Sequence, residues 1–341
     1  MLNDTNEDEV ARRIYDMFTK IRQNTKDFRY EYEFCCGVAS NIEDQEKYTF
    51  EQMLTNVMFA LAQSKEASSE NICFFDEEVH KKKEFENFIE SNMQQALDSQ
   101  CFEMVLQPKM NLQTNSVIAA EALVRWRLED GTYLPPSSFV DIFEKNRFCS
   151  KLDFYMLKKA IQQIRKWIDM GINPVNISVN QSKIVFYHEN YISELKSLLE
   201  EYNVSGSYIT LEVLESTVIE DIDIFNSILT EVKKLGFSVS LDDFGSGYSS
   251  LNVLSKLQID ELKIDRIFLH TKSEVDNQRT KWILESIIDI AKKSQILVVV
   301  EGVESKQDDL FIKNLGADVG QGYFYGRPLS ISAFNDLIET K

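Results

Sequence analysis

The sequence predicts an α/β fold: a (β/α)8 TIM-like barrel preceded by a small N-terminal α/β unit. Three observations carry this reading. From Phe102 onward, short apolar runs alternate with helix-length amphipathic stretches, the pattern of β/α units around a parallel sheet. Eight such runs can be found in the sequence, the number that closes a barrel. Most of these runs finish in a carboxylate or an amide, and in such barrels the active site is built at the C-terminal ends of the strands. A length of 341 residues suits one barrel-sized domain and a smaller unit.

Taken in order, Glu7 to Arg22 places Val10, Ile14, Met17, Phe18 and Ile21 at the three-to-four spacing of an amphipathic helix. Phe28 to Ala39 is aromatic and β-branched enough for a strand, ended by Ser40-Asn41. Phe50 to Gln63 is helical through Met53, Leu54, Val57, Met58 and Leu61, and Asn71 to Phe75 is a short strand. Along the first strand Phe28, Tyr30, Tyr32 and Phe34 alternate with charged residues, so one face is aromatic and needs cover. A two-stranded unit is marginal alone. It is expected to pack against another surface, and a homodimer is expected because two-fold dimers are the commonest oligomers. Lys81 to Ser99 is a further amphipathic helix with Phe85, Phe88, Ile89, Met93, Ala96 and Leu97 on one side. The boundaries are therefore residues 1–78 for the small unit, 79–100 for a connecting helix and 101–341 for the barrel. Its first two strands are Phe102 to Leu106 and Val117 to Leu123. Ile177 to Val179 then ends in Asn180, Tyr208 to Leu211 in Glu212, and Phe237 to Leu241 in Asp242-Asp243. Glu261 to Ile264 ends in Asp265, Leu297 to Val300 in Glu301, and Asp318 to Gly320 in Gln321.

Composition sets limits on function. The hydrophobic share of 43% and charged share of 27% describe an ordinary globular chain. No apolar run approaches the roughly 20 residues that span a bilayer, and the acidic start, Met1 to Val10, shows no signal peptide. Five cysteines without metal-type spacing read as reduced, cytoplasmic thiols. A net charge of −18 repels polyanions, so neither a DNA or RNA polymer nor an anionic membrane is an expected partner. A small anionic substrate requires cations to bridge it to such a protein.

The rim supplies a place for them. Glu121, Asn180, Glu212, Asp242, Asp243 and Glu301 converge there, and uncompensated carboxylates persist only if protonated or if they hold cations. An all-oxygen donor set favours hard ions, Mg²⁺ or Mn²⁺, and a pair of them suits attack on a phosphate ester. Lys263 is the cation expected at this rim. It can orient or deprotonate the attacking water if metal charge depresses its usual pKa of about 10.4, or it can simply pair with Asp265 or another carboxylate. Adjacent strand residues point to opposite faces, so Asp242 and Asp243 share one centre only if the strand has begun to turn, which Gly245 and Gly247 allow. Ser249 or Ser250 then caps the next helix. Gly245-Ser246-Gly247 lacks the third glycine of a dinucleotide site, no G-x-S-x-G elbow is present, and His80, His188 and His270 lack ligand spacing.

These segments together resemble the EAL domain family, carried by Glu121-Ala122-Leu123-Val124-Arg125-Trp126. The other blocks are Gln107-Pro108-Lys109, Ser178 to Ser182, Glu212-Val213-Leu214-Glu215-Ser216, the aspartate-pair loop, Leu262 to Arg266, Glu301 to Glu304 and Gln321-Gly322-Tyr323. The resemblance runs from about Lys81 to the end. It implies hydrolysis of cyclic di-GMP to linear pGpG, with Glu121, Asn180, Glu212, Asp242, Asp243 and Glu301 at the metal positions. It further implies that Lys263 contacts the attacking water, with Gln321 beside it and Glu301 in the catalytic set, and that Glu215 holds the aspartate-pair loop. Substrate contacts are implied at Gln107, Leu123, Arg125, Asp265 and Glu304. Leu214 and Ser246 stand where the family commonly has threonine, and the first is expected to alter how Glu215 braces the loop. The N-terminal unit resembles the C-terminal half of a GGDEF domain, but the G-G-D-E-F signature is absent and cyclase activity is not expected. The rival reading is a receptor that binds cyclic di-GMP without cleaving it. Such receptors usually lack a rim carboxylate or the lysine, and here all are present.

Overall fold

The computed structural model describes residues 7–24, 33–40, 48–66, 71–215, 222–245, 251–269 and 274–339. The chain divides into two compact units, Met1–Ser91 and Asn92–Lys341. The first contains α1 (Glu7–Asn24), β1 (Cys36–Val38), α2 (Phe50–Glu66), β2 (Ile72–Phe74) and the start of α3 (Glu77–Asp98). β1 and β2 pair in parallel. The expected strand from Phe28 is seen only as β1, and residues 25–32 lie outside the described residues. Val10, Ile14 and Phe18 of α1 bury against Ile72, with Phe34, Cys36, Val38 and Phe74 around them. Phe18 stacks on Phe34 at 5.3 Å, so α1 supplies cover for the aromatic face at that position. α2 instead lies against β1 at Gly37, where an added Cβ would strike the backbone of Val57 and Leu61. Phe85 and Phe88 of α3 are exposed rather than buried with Ile89.

The second unit runs β3 (Phe102–Asn111), β4 (Ser116–Arg127), β5 (Tyr133–Leu134), α4 (Val140–Lys145), α5 (Cys149–Asp169), β6 (Asn176–Gln181), α6 (Lys183–Phe186) and α7 (Tyr191–Tyr202). It continues through β7 (Ile209–Leu214), α8 (Ile222–Lys234), β8 (Ser238–Phe244), α9 (Leu251–Lys256), β9 (Glu261–Ile264), α10 (Glu274–Lys293), β10 (Leu297–Val300), α11 (Lys306–Leu315), β11 (Val319–Gln321) and α12 (Ile331–Glu339). Eight strands close in the order β3-β11-β10-β9-β8-β7-β6-β4, with β4 returning to β3 and β5 added outside on β4. This is the α/β TIM-like barrel that the strand count predicted.

One strand departs from the all-parallel expectation. β3 runs antiparallel to both β4 and β11, while the other barrel pairings are parallel. Residues 112–115 are too few for a crossover helix. Asn111 instead makes a turn, its Oδ1 accepting from the backbone N–H of Gln113 and Thr114, and Asn115 takes a left-handed φ of 51°.

Strand alternation then separates core from site. Ile177, Val179, Leu211, Val213, Val239, Leu241, Leu262, Ile264, Val298 and Val300 are fully buried, and they occupy the strand face opposite the polar residues, toward the helix layer. α5 packs on β6, burying Leu152, Met156, Ala160, Ile164 and Trp167 at helical spacing. The intervening strand positions line the barrel interior.

Candidate active site

The interior residues of the upper barrel layer are charged or polar. Lys263 of β9 is 1% exposed, and its Nζ lies 2.8 Å from Glu301, 2.9 Å from Asp242, 2.9 Å from Glu212 and 3.4 Å from Glu121. It therefore sits among the rim carboxylates as their counter-ion, and no contact with Asp265 is involved. Asn180 Nδ2 donates to Glu121 Oε1 at 2.9 Å, and Gln321 Nε2 donates to Glu121 Oε2 at 2.6 Å. Gln321 Oε1 is buried and has no partner among the described residues. The turn carrying Asn180 is tied to α5, since Asp153 Oδ2 accepts from Ser182 N–H at 2.8 Å and from its Oγ–H at 2.5 Å.

Asp242 and Asp243 do share a face, but the cause is a β-bulge rather than the glycines after them. The β8–β9 register shifts between Leu241 and Phe244, and Asp243 adopts a left-handed φ of 56°, the extra-residue geometry of a bulge. The Asp243 N–H donates to Asp242 Oδ1 at 2.9 Å. One oxygen from each of Asp242, Asp243 and Glu301 lies within 4.8 Å of the others. Gly245 follows with φ 98°, and a side chain there would collide with the ring of Phe268. Residues 246–250, with Ser246 and the expected serine cap, lie outside the described residues. Glu215 is buried, while residues 216–221 beyond it are not described.

Electrostatics divides these carboxylates. Burial opposes charge on Glu212, yet Lys109 and Lys263 pull its pKa down to about 2. Burial pushes Glu301 up to about 8, helped by Asp242 and Glu121 and resisted by Lys263. Glu121, Asp242 and Asp243 are likewise raised, mainly by burial. Burial also works against charge on Lys263, but Asp242, Glu121, Glu212 and Glu301 together hold its pKa well above the ordinary value. The structure thus sets a lysine among the carboxylates whose mutual repulsion the sequence implies.

A cavity of about 420 Å³ opens above this cluster. Gln107, Leu214 and Glu304 line it, as do Arg266 and Tyr323, to which the sequence reading gave no role. Both stand inside motifs quoted for their neighbours, Lys263 and Gln321, which is the signal that could have found them. Leu123 and Arg125 are half-buried outside the lining, and burial pulls the Arg125 pKa below its ordinary value while nearby Glu121 resists. Asp265 caps a short turn, its Oδ1 accepting from Ile267 N–H at 2.7 Å. Leu214 is 37% exposed and faces the cavity, so its departure from threonine changes the cavity wall.

A further residue given no role from the sequence is Lys109 of β3, completely buried one layer below. Its Nζ lies 2.8 Å from both Glu212 and Glu261, and these anions keep its pKa above the ordinary value despite burial. Lys109 thus adds an interior cation below the rim that holds Lys263. Spacing could have revealed this, since Lys109 lies two residues beyond Gln107 on the same strand face.

The sequence and fold have counterparts among known proteins. The chain is 28% identical over 310 residues to the bifunctional diguanylate cyclase/cyclic di-GMP phosphodiesterase MucR of Pseudomonas aeruginosa, covering 91% of this chain and 45% of that protein. It is 33% identical over 288 residues to the cyclic di-GMP phosphodiesterase NbdA of the same organism, covering 84% of this chain and 36% of that one. The chain thus spans less than half the length of these curated relatives. The solved structure of the PaMucR phosphodiesterase in complex with c-di-GMP superposes with a TM-score of 0.67 and 32% identity, over 72% of this chain and 99% of that one. Residues 90–328 match the model of the EAL domain, and with that match over most of its length the chain belongs to the EAL domain family.

Proposed function

We propose that this chain is a phosphodiesterase that hydrolyses cyclic di-GMP to linear 5′-pGpG and so lowers a bacterial second messenger. The observation that carries the reading is the convergence of Asp242, Asp243 and Glu301 oxygens within 4.8 Å in the rim cavity of an EAL-family barrel. An all-oxygen donor set of this kind fits two hard divalent ions, Mg²⁺ or Mn²⁺, held by Glu121, Asn180, Glu212, Asp242, Asp243 and Glu301. Such ions acidify water and neutralise charge developing on the phosphoryl oxygens. In the reaction, water adds to one phosphodiester and the bond from phosphorus to the 3′ oxygen breaks. Lys263, held as an ammonium, orients the attacking water, whose proton passes to the departing 3′ oxygen by way of solvent, and the Gln321 carbonyl oxygen, buried without a partner among the described residues, accepts a hydrogen bond from that water. Glu215 holds the aspartate-pair loop. Gln107, Leu123, Arg125, Asp265 and Glu304 contact the nucleotide, and Arg266 and Tyr323 join them from the cavity wall.

The N-terminal unit is proposed to be a partial GGDEF-like module without cyclase activity. Alignment to MucR over 91% of the chain, beyond the 90–328 segment, supports this. No described helix is long and apolar enough to cross a membrane. A cytoplasmic location belongs to the same proposal, on the reading of the cysteines as reduced thiols. The deciding experiment incubates purified protein with cyclic di-GMP and Mg²⁺ or Mn²⁺ and separates the products by chromatography. Linear pGpG is expected, lost on chelation and poorly supported by Ca²⁺, whose looser coordination suits turnover badly. Intact cyclic di-GMP bound tightly but uncleaved would establish a receptor instead.

A further inference from the structure

The layer beneath the site carries charge that the proposed reaction leaves unused. Lys109 Nζ donates to Ser178 Oγ at 2.7 Å, to Glu212 Oε1 at 2.8 Å and to Glu261 Oε1 at 2.8 Å. Ser240 Oγ donates to the same Glu261 oxygen at 2.9 Å. Each member is two residues from a rim residue on its own strand: Lys109 from Gln107, Ser178 from Asn180, Ser240 from Asp242, Glu261 from Lys263. All therefore share the inward face, one layer deeper.

Stability alone does not account for this layer. Barrel interiors are ordinarily filled with Val, Ile and Leu, and replacing a buried ion pair by packed apolar residues is often neutral or stabilising. The geometry accounts for it differently. Three acceptors satisfy all three ammonium protons, which fixes Nζ in place. Glu212 is then divided between two lysines, with Oε1 on Lys109 and Oε2 on Lys263 at 2.9 Å, and its carboxylate plane has no freedom left.

We propose that Lys109, anchored by Glu261 and Ser178, is a positioning residue that commits one oxygen of Glu212 downward, so that only the other, shared with Lys263, is turned toward the divalent ions. The inference rests on the reading of the rim cluster as a metal centre. Outer-layer partners of this kind typically contribute about 10- to 100-fold to metal affinity.

The test is Mn²⁺ binding by calorimetry on the full chain without substrate, together with thermal melting. Lys109→Met removes a positive charge, and the double variant Lys109→Met/Glu261→Gln removes one charge of each sign and restores the balance. The double variant is expected to melt near the wild type yet to bind Mn²⁺ about tenfold or more weakly. Mn²⁺ affinity within twofold of the wild type would overturn the proposal, because Lys109 would then only balance charge. Should the double variant fail to fold, Ser178→Ala is read instead. It deletes one acceptor of Lys109 and no charge, a roughly threefold loss of Mn²⁺ affinity is expected, and an unchanged affinity overturns the proposal. A wild type that binds no Mn²⁺ refutes the metal centre itself, which is distinguishable from tight binding shared by wild type and variants.

Discussion

Replacing Lys263 with methionine keeps most of the side chain's volume and deletes its charge. The ammonium is 1% exposed and lies 2.8–3.4 Å from four carboxylates. Removing one partner from a buried ion pair costs about 3–5 kcal/mol, because the remaining charge is stranded. Protonation relieves part of that here, since Glu301 is already pushed up to about 8. The lower end, about 3 kcal/mol, is therefore the expectation at pH 7.5 in EDTA. For a barrel-sized unit that corresponds to a fall in Tm of roughly 6–12 °C. Mn²⁺ should reduce the deficit to less than half, since cations placed among the same oxygens replace the missing ammonium. Turnover should remain at least about 100-fold low even then, because the group that orients the attacking water is gone, while cyclic di-GMP binding stays nearly intact. Circular-dichroism melts with and without Mn²⁺, read beside product chromatography, make the comparison. A variant within 2 °C (about 1 kcal/mol) of the wild type in EDTA, or one equally destabilised with Mn²⁺, would show that Lys263 is not the counter-ion of the cluster.

Three further outcomes are expected. Glu301 has an ordinary value of 4.5 and a folded value of about 8, so between these the folded metal-free chain holds the extra proton and its stability falls as pH rises. Denaturant midpoints in EDTA at pH 5.5 and pH 8.5 should differ in that direction, and Glu301→Gln should shrink the difference. Gly245→Ala adds a side chain at φ 98° against the Phe268 ring and should destabilise the chain by about 1–3 kcal/mol, measured by denaturant unfolding; a neutral effect would mean the turn relaxes freely. Light scattering on the intact chain should give a dimer of twice 39.5 kDa, and a mass of one chain would remove the homodimer expectation.

The barrel and its rim were legible because two periodicities coincide in the sequence. Apolar residues such as Val239 and Leu241 face the helices, while Ser240 and Asp242 between them face inward, and the amphipathic α5 falls between strands as a β/α unit requires. What alternation cannot carry is direction. A strand reads the same apolar pattern whichever way it runs, so the antiparallel β3 was invisible except in its turn, Asn111 to Asn115. Nor does alternation announce its own interruption, so the sequence required a turn at Asp242-Asp243 but not the bulge that makes it. Lys109 escaped for another reason. A lysine near a strand end is ordinarily read as solvated, and only the partners Glu212 and Glu261, 103 and 152 residues away, make its burial affordable.

The closing seam of the barrel has a bearing on how the chain matures. β3 meets β11 through three residue pairs, Asn111–Val319, Met110–Gly320 and Lys109–Gln321, backed by a lone bridge from Leu106 to Leu329. Gln321 and Glu121 become hydrogen-bonded across 200 residues of sequence only when that seam zips. Until the ribosome has delivered β11, β3 and β10 present unpaired edges, which invite association with other chains. Ring closure over such a sequence distance is intrinsically slow. Completion of the barrel and completion of the constellation around Glu121 are thus a single late event in folding, and a chain cut short before Val319 would have neither.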